Sequence, residues 1–213
     1  TLGKYVAYVN AGASDCPKSG RNEEIYSQAT EIMGKIDFVA ARDRTSLAYF
    51  REMGITENVR YLPDALFTWP SFQRKRFFEY DLPVDYFVPF PEYPETTRSL
   101  NLPSEYICLG GSSSAAWFQN PATPAYKHLA LQLREIDLPI LLIESCTGDS
   151  FMRSIAVDTS LPLIPVQTNI QVASDTLANA RVFVSGRYHP SILASLGGTP
   201  CVFLSSNSHK TLS

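Results

Sequence analysis

Charge is scarce in this chain. Lysine and arginine number 18 against 21 aspartates and glutamates, a net charge of −3 over 213 residues. No basic patch is large enough to follow a phosphate backbone, so nucleic acid is not an expected partner. No apolar run is long enough to span a bilayer, and no secretory leader is visible. The four cysteines, Cys16, Cys108, Cys146 and Cys201, are widely spaced and form no CxxC pair. Cys108 and Cys201 fall inside apolar strand-like runs, which reads as buried thiols in a reducing cytoplasm rather than a disulfide framework. No cluster of His, Cys, Asp and Glu has metal-ligand spacing, so no essential metal is expected. A Walker loop, a dinucleotide fingerprint, internal repeats and low-complexity tracts are all lacking. Apolar residues make up 45% of the chain, enough for a sizeable core. Aromatic residues are plentiful, and such a surface suits contact with another subunit or with sugars.

The chain is organised around residues 181–210. Val182-Phe183-Val184 reads as a buried strand, broken by Ser185-Gly186. Arg187 and His189 follow at the strand's carboxyl end. Pro190 is pre-set for the first position of a helix, with Ile192, Leu193 and Leu196 facing a sheet. Gly197-Gly198 ends that helix, and Cys201-Val202-Phe203-Leu204 is the next strand. In open parallel sheets, ligands bind in the crevice at strand carboxyl ends. A helix N-terminus there offers unpaired N–H groups to an anion. The unit therefore reads as an anion pocket with an acid/base residue beside it. Taken singly, Arg187 would be a surface charge and His189 a helix cap or packing residue.

Ser185-Gly186-Arg187-Tyr188-His189, the helix into Gly197-Gly198-Thr199-Pro200, and the distal Lys210 resemble the C-terminal signature of the polysaccharide pyruvyl transferase family. Upstream, Ala41-Arg42-Asp43-Arg44-Thr45-Ser46, Met53-Gly54-Ile55 and Leu62-Pro63-Asp64 resemble a second segment of that family, in the expected order. The match covers most of residues 37–67 and 104–210.

Residues 1–70 alternate strand and helix. Strands are expected at residues 5–9, 38–41 and 59–62. Asn22 is expected to cap a helix with Ile25, Ala29 and Ile32 on its inner face. Asp43 or Thr45 caps a second, with Leu47, Ala48 and Phe50 inward, stopped by Gly54. This βαβαβ pattern is half of a doubly wound domain. Arg42 has the same address as Arg187, past a strand and before a helix. It pairs with Asp43 or Asp64 to pin the loops, or it binds an anion; the residues leave both readings open. Asp43 and Asp64 themselves read as structural.

Residues 71–101 break the pattern, with prolines among aromatic residues, and read as a linker or irregular loop. The basic run Arg74-Lys75-Arg76 there reads as a solvated face. A second domain, residues 102–213, opens with a strand at 106–109. Gly110, Gly111 and Ser112 follow in a loop that either lets a ligand approach the backbone or is simply a loop. Next comes a helix with Tyr126, Leu129, Ala130, Leu133 and Ile136 inward and His128 at the surface. A buried strand ends near Glu144, with Asp149 placed to cap a short helix. A strand at 163–166 and a helix at 169–178, with Ile170, Val172, Ala173 and Leu177 available for packing, precede the signature unit. The fold class expected is α/β: two Rossmann-like domains with parallel sheets in a glycosyltransferase-B-like arrangement. The chain opens close to a strand and stops soon after Lys210, so it reads as lacking flanking sequence at both ends.

The resemblance implies an enzyme that moves the enolpyruvyl group of phosphoenolpyruvate onto sugar hydroxyls of a polysaccharide or its nucleotide- or lipid-linked precursor, forming a ketal. By that resemblance His189 is the general acid, and Arg42, Arg187 and Lys210 hold the donor. Arginine forks and a lysine suit a phosphate and a carboxylate, and a histidine near neutral pKa suits proton delivery. No cofactor is implied beyond the donor substrate. A cytoplasmic site of action is expected, with room for peripheral association at the inner membrane face and for a homo-oligomer. Two other classes stay open. One is a nucleotide-sugar glycosyltransferase, against which stands the lack of an acidic residue on the helix after His189. The other is a non-catalytic sugar- or anion-binding protein.

Overall fold

The computed structural model describes residues 3–16, 19–68, 102–117, 119–168, 170–207 and 209. The expected linker at 71–101 with its basic run, and Lys210, lie outside the described residues. The chain divides into two compact units. The first runs to Phe67 and takes in His209; the second lies within Thr68–Asn207.

The first unit is a three-stranded parallel sheet of order β1-β2-β3, formed by β1 (Ala7–Ala11), β2 (Phe38–Ala41) and β3 (Val59–Tyr61). Helix α1 (Glu23–Met33) joins β1 to β2, and α2 (Arg44–Glu52) joins β2 to β3. Asn22 caps α1 by accepting the Ile25 N–H at 3.0 Å. Gly54, at φ +83°, ends the turn after α2 in the left-handed region that favours glycine. The core joins Val39, Ala41, Phe50, Met53, Ile55 and Val59.

The inner face of α1 differs from expectation. Ile25 and Ile32 are more than 60% exposed, while Met33 is buried and Tyr26 and Ala29 pack on the core. The helix is turned by about one position because Tyr26 meets the Tyr49 ring edge-on and carries the Arg21 guanidinium 4.2 Å above its face. Ala48 is likewise exposed, with Leu47 and Phe50 making the contact from α2.

The second unit is a five-stranded parallel sheet of order β6-β5-β4-β7-β8. Its strands are β4 (Ile107–Ser112), β5 (Ile140–Ile143), β6 (Leu163–Ile164), β7 (Val182–Gly186) and β8 (Cys201–Phe203). The helices are α3 (Ser113–Trp117), α4 (Gln119–Leu133), α5 (Phe151–Thr159), α6 (Ile170–Ala178) and α7 (Tyr188–Leu196). The chain builds outward from β4 to β6, then returns to the other side of β4 for β7 and β8. The topological switch point therefore lies between β4 and β7, where such sheets open a crevice at their carboxyl ends.

Both central strands are apolar and buried, as strands covered on two faces must be. Tyr126, Ala130, Phe151, Met152 and Ile155 pack α4 and α5 against Ile107, Leu109 and Leu142. Ile136 and Ile170, expected inside, are exposed: Ile136 lies past the last residue of α4, in the 3-10 turn that follows, and Ile170 is the first residue of α6. Helix α7 begins at Tyr188, two residues before Pro190. A proline in the first turn costs nothing, because no N–H there has an intrahelical partner. Gly198, at φ +89°, closes the helix with Gly198 N–H donating to Ser195 O and Thr199 N–H to Ala194 O, a Schellman end. All four cysteines are free thiols; Cys108 is fully buried, and burial pushes its pKa up. No helix among the described residues is long and apolar enough to cross a membrane.

Candidate functional site

At the switch point of the second unit, β7 delivers Arg187 one residue past its end. The Arg187 side chain is 14% exposed and Asp149, its partner, is 0% exposed. Arg187 donates from Nη2 to Asp149 Oδ1 at 2.6 Å and from Nε to the same oxygen at 3.1 Å. Its Nη1 donates to Ser113 Oγ at 3.0 Å. The other oxygen of Asp149 accepts the Ser145 N–H at 3.0 Å. Asp149 is therefore an internal anchor for Arg187 and does not cap α5, whose N-cap residue, Ser150, makes no side-chain capping bond. A carboxyl group this deep needs hydrogen-bonding partners, and the arginine fork supplies them.

Gly110, Gly111 and Ser112 belong to buried β4, not to a loop. A Cβ on Gly111 would lie 2.0 Å from Asp149 Oδ1, and one on Gly110 about 3.0 Å from the Phe183 ring. These glycines make room for neighbouring side chains of the fold. The pairing of β4 with β7 shifts register between Leu109 and Ser112, a bulge at the glycine pair. Ser112 accepts the Ala115 N–H at 2.9 Å and so starts α3. Ser185, fully buried, donates to Gly111 O at 2.9 Å and accepts the Arg187 N–H at 3.0 Å, tying the two strand ends together.

His189 stands in the first turn of α7, exposed, with its ring 5.2 Å from that of Tyr188. Close to these strand ends is a hollow of about 520 Å³, walled by Ala115, Tyr126, Leu129 and Leu204 and edged by the hydroxyls of Ser114 and Ser205. Burial pushes the Tyr126 phenol up to about 12. Apolar walls with a few hydroxyls are what an organic ligand needs for shape and orientation.

In the first unit Arg42 follows β2. Its Nη1 donates to Asp64 Oδ2 at 3.3 Å, with the two side chains 12% and 2% exposed. The loop-pinning reading thus has a partner in Asp64. A Cβ on Gly12 would come within 3.0 Å of the guanidinium, so the small-residue loop after β1 closes over Arg42. Asp43 is buried and caps α2, accepting the Ser46 N–H at 2.6 Å and the Ser46 hydroxyl at 2.8 Å. Ser46 Oγ in turn accepts the Ala13 N–H at 2.9 Å. His209 Nε2 and Asp43 Oδ1 are hydrogen-bonded at 2.9 Å. His209 also lines a cleft of about 660 Å³ with Asp15, Tyr26 and Tyr49.

The fold thus gathers Arg187, Gly110, Gly111 and Ser112 at one switch point, with His189 in the helix that follows. It places Arg42 in the first unit. Sequence reasoning missed the anchoring role of Asp149, the contact of Ser113, and His209 altogether. Asp149 and Arg187 are 38 residues apart, and Asp43 and His209 are 166 apart, so no local pattern joins either pair. Among the described residues no group of three or more His, Cys, Asp and Glu side chains is placed to hold a metal ion.

Two structures of UDP-GlcNAc 2-epimerase from Methanocaldococcus jannaschii share this fold. One, in complex with UDP-GlcNAc and UDP, aligns over 99% of this chain and 57% of its own, with a TM-score of 0.62 and 13% identity. The other aligns over 99% and 58%, with a TM-score of 0.64 and 14% identity. The chain thus spans under three-fifths of their length. At such identity the likeness carries the fold alone, and it agrees with the glycosyltransferase-B-like α/β class with parallel sheets expected from the sequence. No curated protein matches the chain. A family profile described as polysaccharide pyruvyl transferase matches residues 2–208, nearly every residue and both strand–helix motifs among them, and the chain belongs to that family.

Proposed function

We infer that the protein transfers the enolpyruvyl group of phosphoenolpyruvate to two hydroxyls of a sugar, in a polysaccharide or its precursor, forming a pyruvate ketal and releasing phosphate. Membership of the family supports the reaction class. The observation that carries the chemistry is the fixed Arg187 fork at the switch point, beside a histidine in the first turn of the next helix.

The reaction needs few groups. One proton is added to the donor's methylene, which becomes a methyl. Two sugar oxygens bond to the former enol carbon, and the carbon–oxygen bond to phosphate breaks. Of the two hydroxyl protons, one balances the new methyl and the other leaves with phosphate. In this reading His189 delivers the proton to carbon, a role worth roughly 10²–10⁴-fold. Arg187, with Arg42 and Lys210, holds the donor's phosphate and carboxylate, which arginine matches in geometry as well as charge. No further cofactor enters. The work is cytoplasmic, on acceptors made there.

The test is incubation with phosphoenolpyruvate and a panel of nucleotide-linked and lipid-linked sugars, following phosphate release and acceptor mass. Phosphate release matched by a pyruvate ketal on an acceptor is expected. Donor binding without turnover on any acceptor would instead mark a binding protein, and turnover of a nucleotide sugar without phosphoenolpyruvate would mark a glycosyltransferase.

A further inference from the structure

We propose that Asp149 is a positioning residue for donor recognition: it sets the plane of the Arg187 guanidinium before any ligand arrives. This rests on the reading of Arg187 as a donor contact. Three of the five guanidinium N–H donors are committed inside the protein, two to Asp149 Oδ1 and one to Ser113 Oγ. Two N–H groups remain for a ligand. The anchor is itself fixed, since Asp149 Oδ2 holds the Ser145 N–H and the carboxylate fills the space left by the missing side chain of Gly111. Asp149 is 0% exposed, so it touches no ligand and acts only through Arg187. Its negative charge also offsets that of Arg187, so donor recognition at this residue comes from orientation more than from net charge. A preset fork loses less freedom on binding than a mobile one.

Two substitutions probe the anchor by different routes. Asp149→Asn keeps the shape but leaves one acceptor oxygen for three N–H groups on two sides. Gly111→Ala keeps Asp149 but drives a methyl into its carboxylate, 2.0 Å from the ideal Cβ. Titration calorimetry with phosphoenolpyruvate should show Kd raised about tenfold or more in both, approaching Arg187→Ala, on the scale of a lost charge-assisted contact. The double variant Asp149→Asn/Arg187→Ala should bind no worse than Arg187→Ala alone, because one interaction cannot be lost twice. Additive losses, or wild-type affinity in Asp149→Asn, would overturn the proposal. Nitrogen-15 NMR of the Arg187 Nε–H reads the anchor without any donor. Its slowly exchanging signal should collapse in Asp149→Asn and in Gly111→Ala. If it collapses while the wild-type protein fails to bind phosphoenolpyruvate, the donor reading falls and the anchor stands. If it persists, the anchor falls.

Discussion

Arg187 and His189 are two positions apart, and their surroundings give them different work. Arg187 is held by three hydrogen bonds to two partners, Asp149 and Ser113, with little exposed surface, and in the proposed reaction it orients the donor. His189 is exposed in the first turn of α7, and in the proposed reaction its ring delivers the proton. Loss of the Arg187 fork should cost roughly 1.5–3 kcal/mol of donor binding. Arg187→Ala should therefore raise the KM for phosphoenolpyruvate about ten- to a hundredfold. His189→Ala should lower kcat by about 10²-fold while donor affinity changes little. His189→Gln keeps a hydrogen-bond donor but has no exchangeable acid, and should be nearly as slow. Near-normal kcat in His189→Gln would make this residue a contact or cap only.

At the level of elements, much was legible in the sequence because the signals are local. Asn22 and Asp43 cap the helices they precede, and Gly54 and Gly198 sit in left-handed turns after helices, as short-range capping chemistry dictates. The order of the strands and of the longer helices was also legible, since a buried apolar run followed by an amphipathic stretch is a short-range pattern, but the short helix α3 was not. Two other things were not. The one-position turn of α1 is set by the aromatic contact of Tyr26 with Tyr49, 23 residues away, which periodicity does not encode. The purpose of the glycines was hidden as well, because a missing side chain is explained only by what fills its place. Gly186 is the sharpest case: a Cβ there would lie 2.3 Å from Ser112 Cβ and 2.6 Å from Ser205 O. Gly186→Ala must push β7 away from β4 at the switch point. A loss of about 1–3 kcal/mol in urea unfolding is expected, as for other overpacked cores, together with weaker donor binding. Unchanged stability would mean that the β4–β7 junction yields freely.

The whole molecule has two units with separate cores, and each can be weakened by itself. Asp43 is a point at which to do so, since it supports both the start of α2 and the His209 contact. Asp43→Ala should destabilise the first unit by about 1–2 kcal/mol through the lost cap alone. Hydrogen exchange should quicken at β2 and β3 while β4 and β7 keep their protection. Equal quickening in both sheets would show that the chain opens as one. Across a lineage, the 2.0 Å between an ideal Gly111 Cβ and Asp149 Oδ1 has another effect. Position 111 can gain a side chain only after position 149 has given up its aspartate. The two positions should drift together in evolution, and a deep mutational scan should score Gly111 as intolerant as Arg187. A reader of that scan would take a residue that never meets a ligand for part of the chemistry.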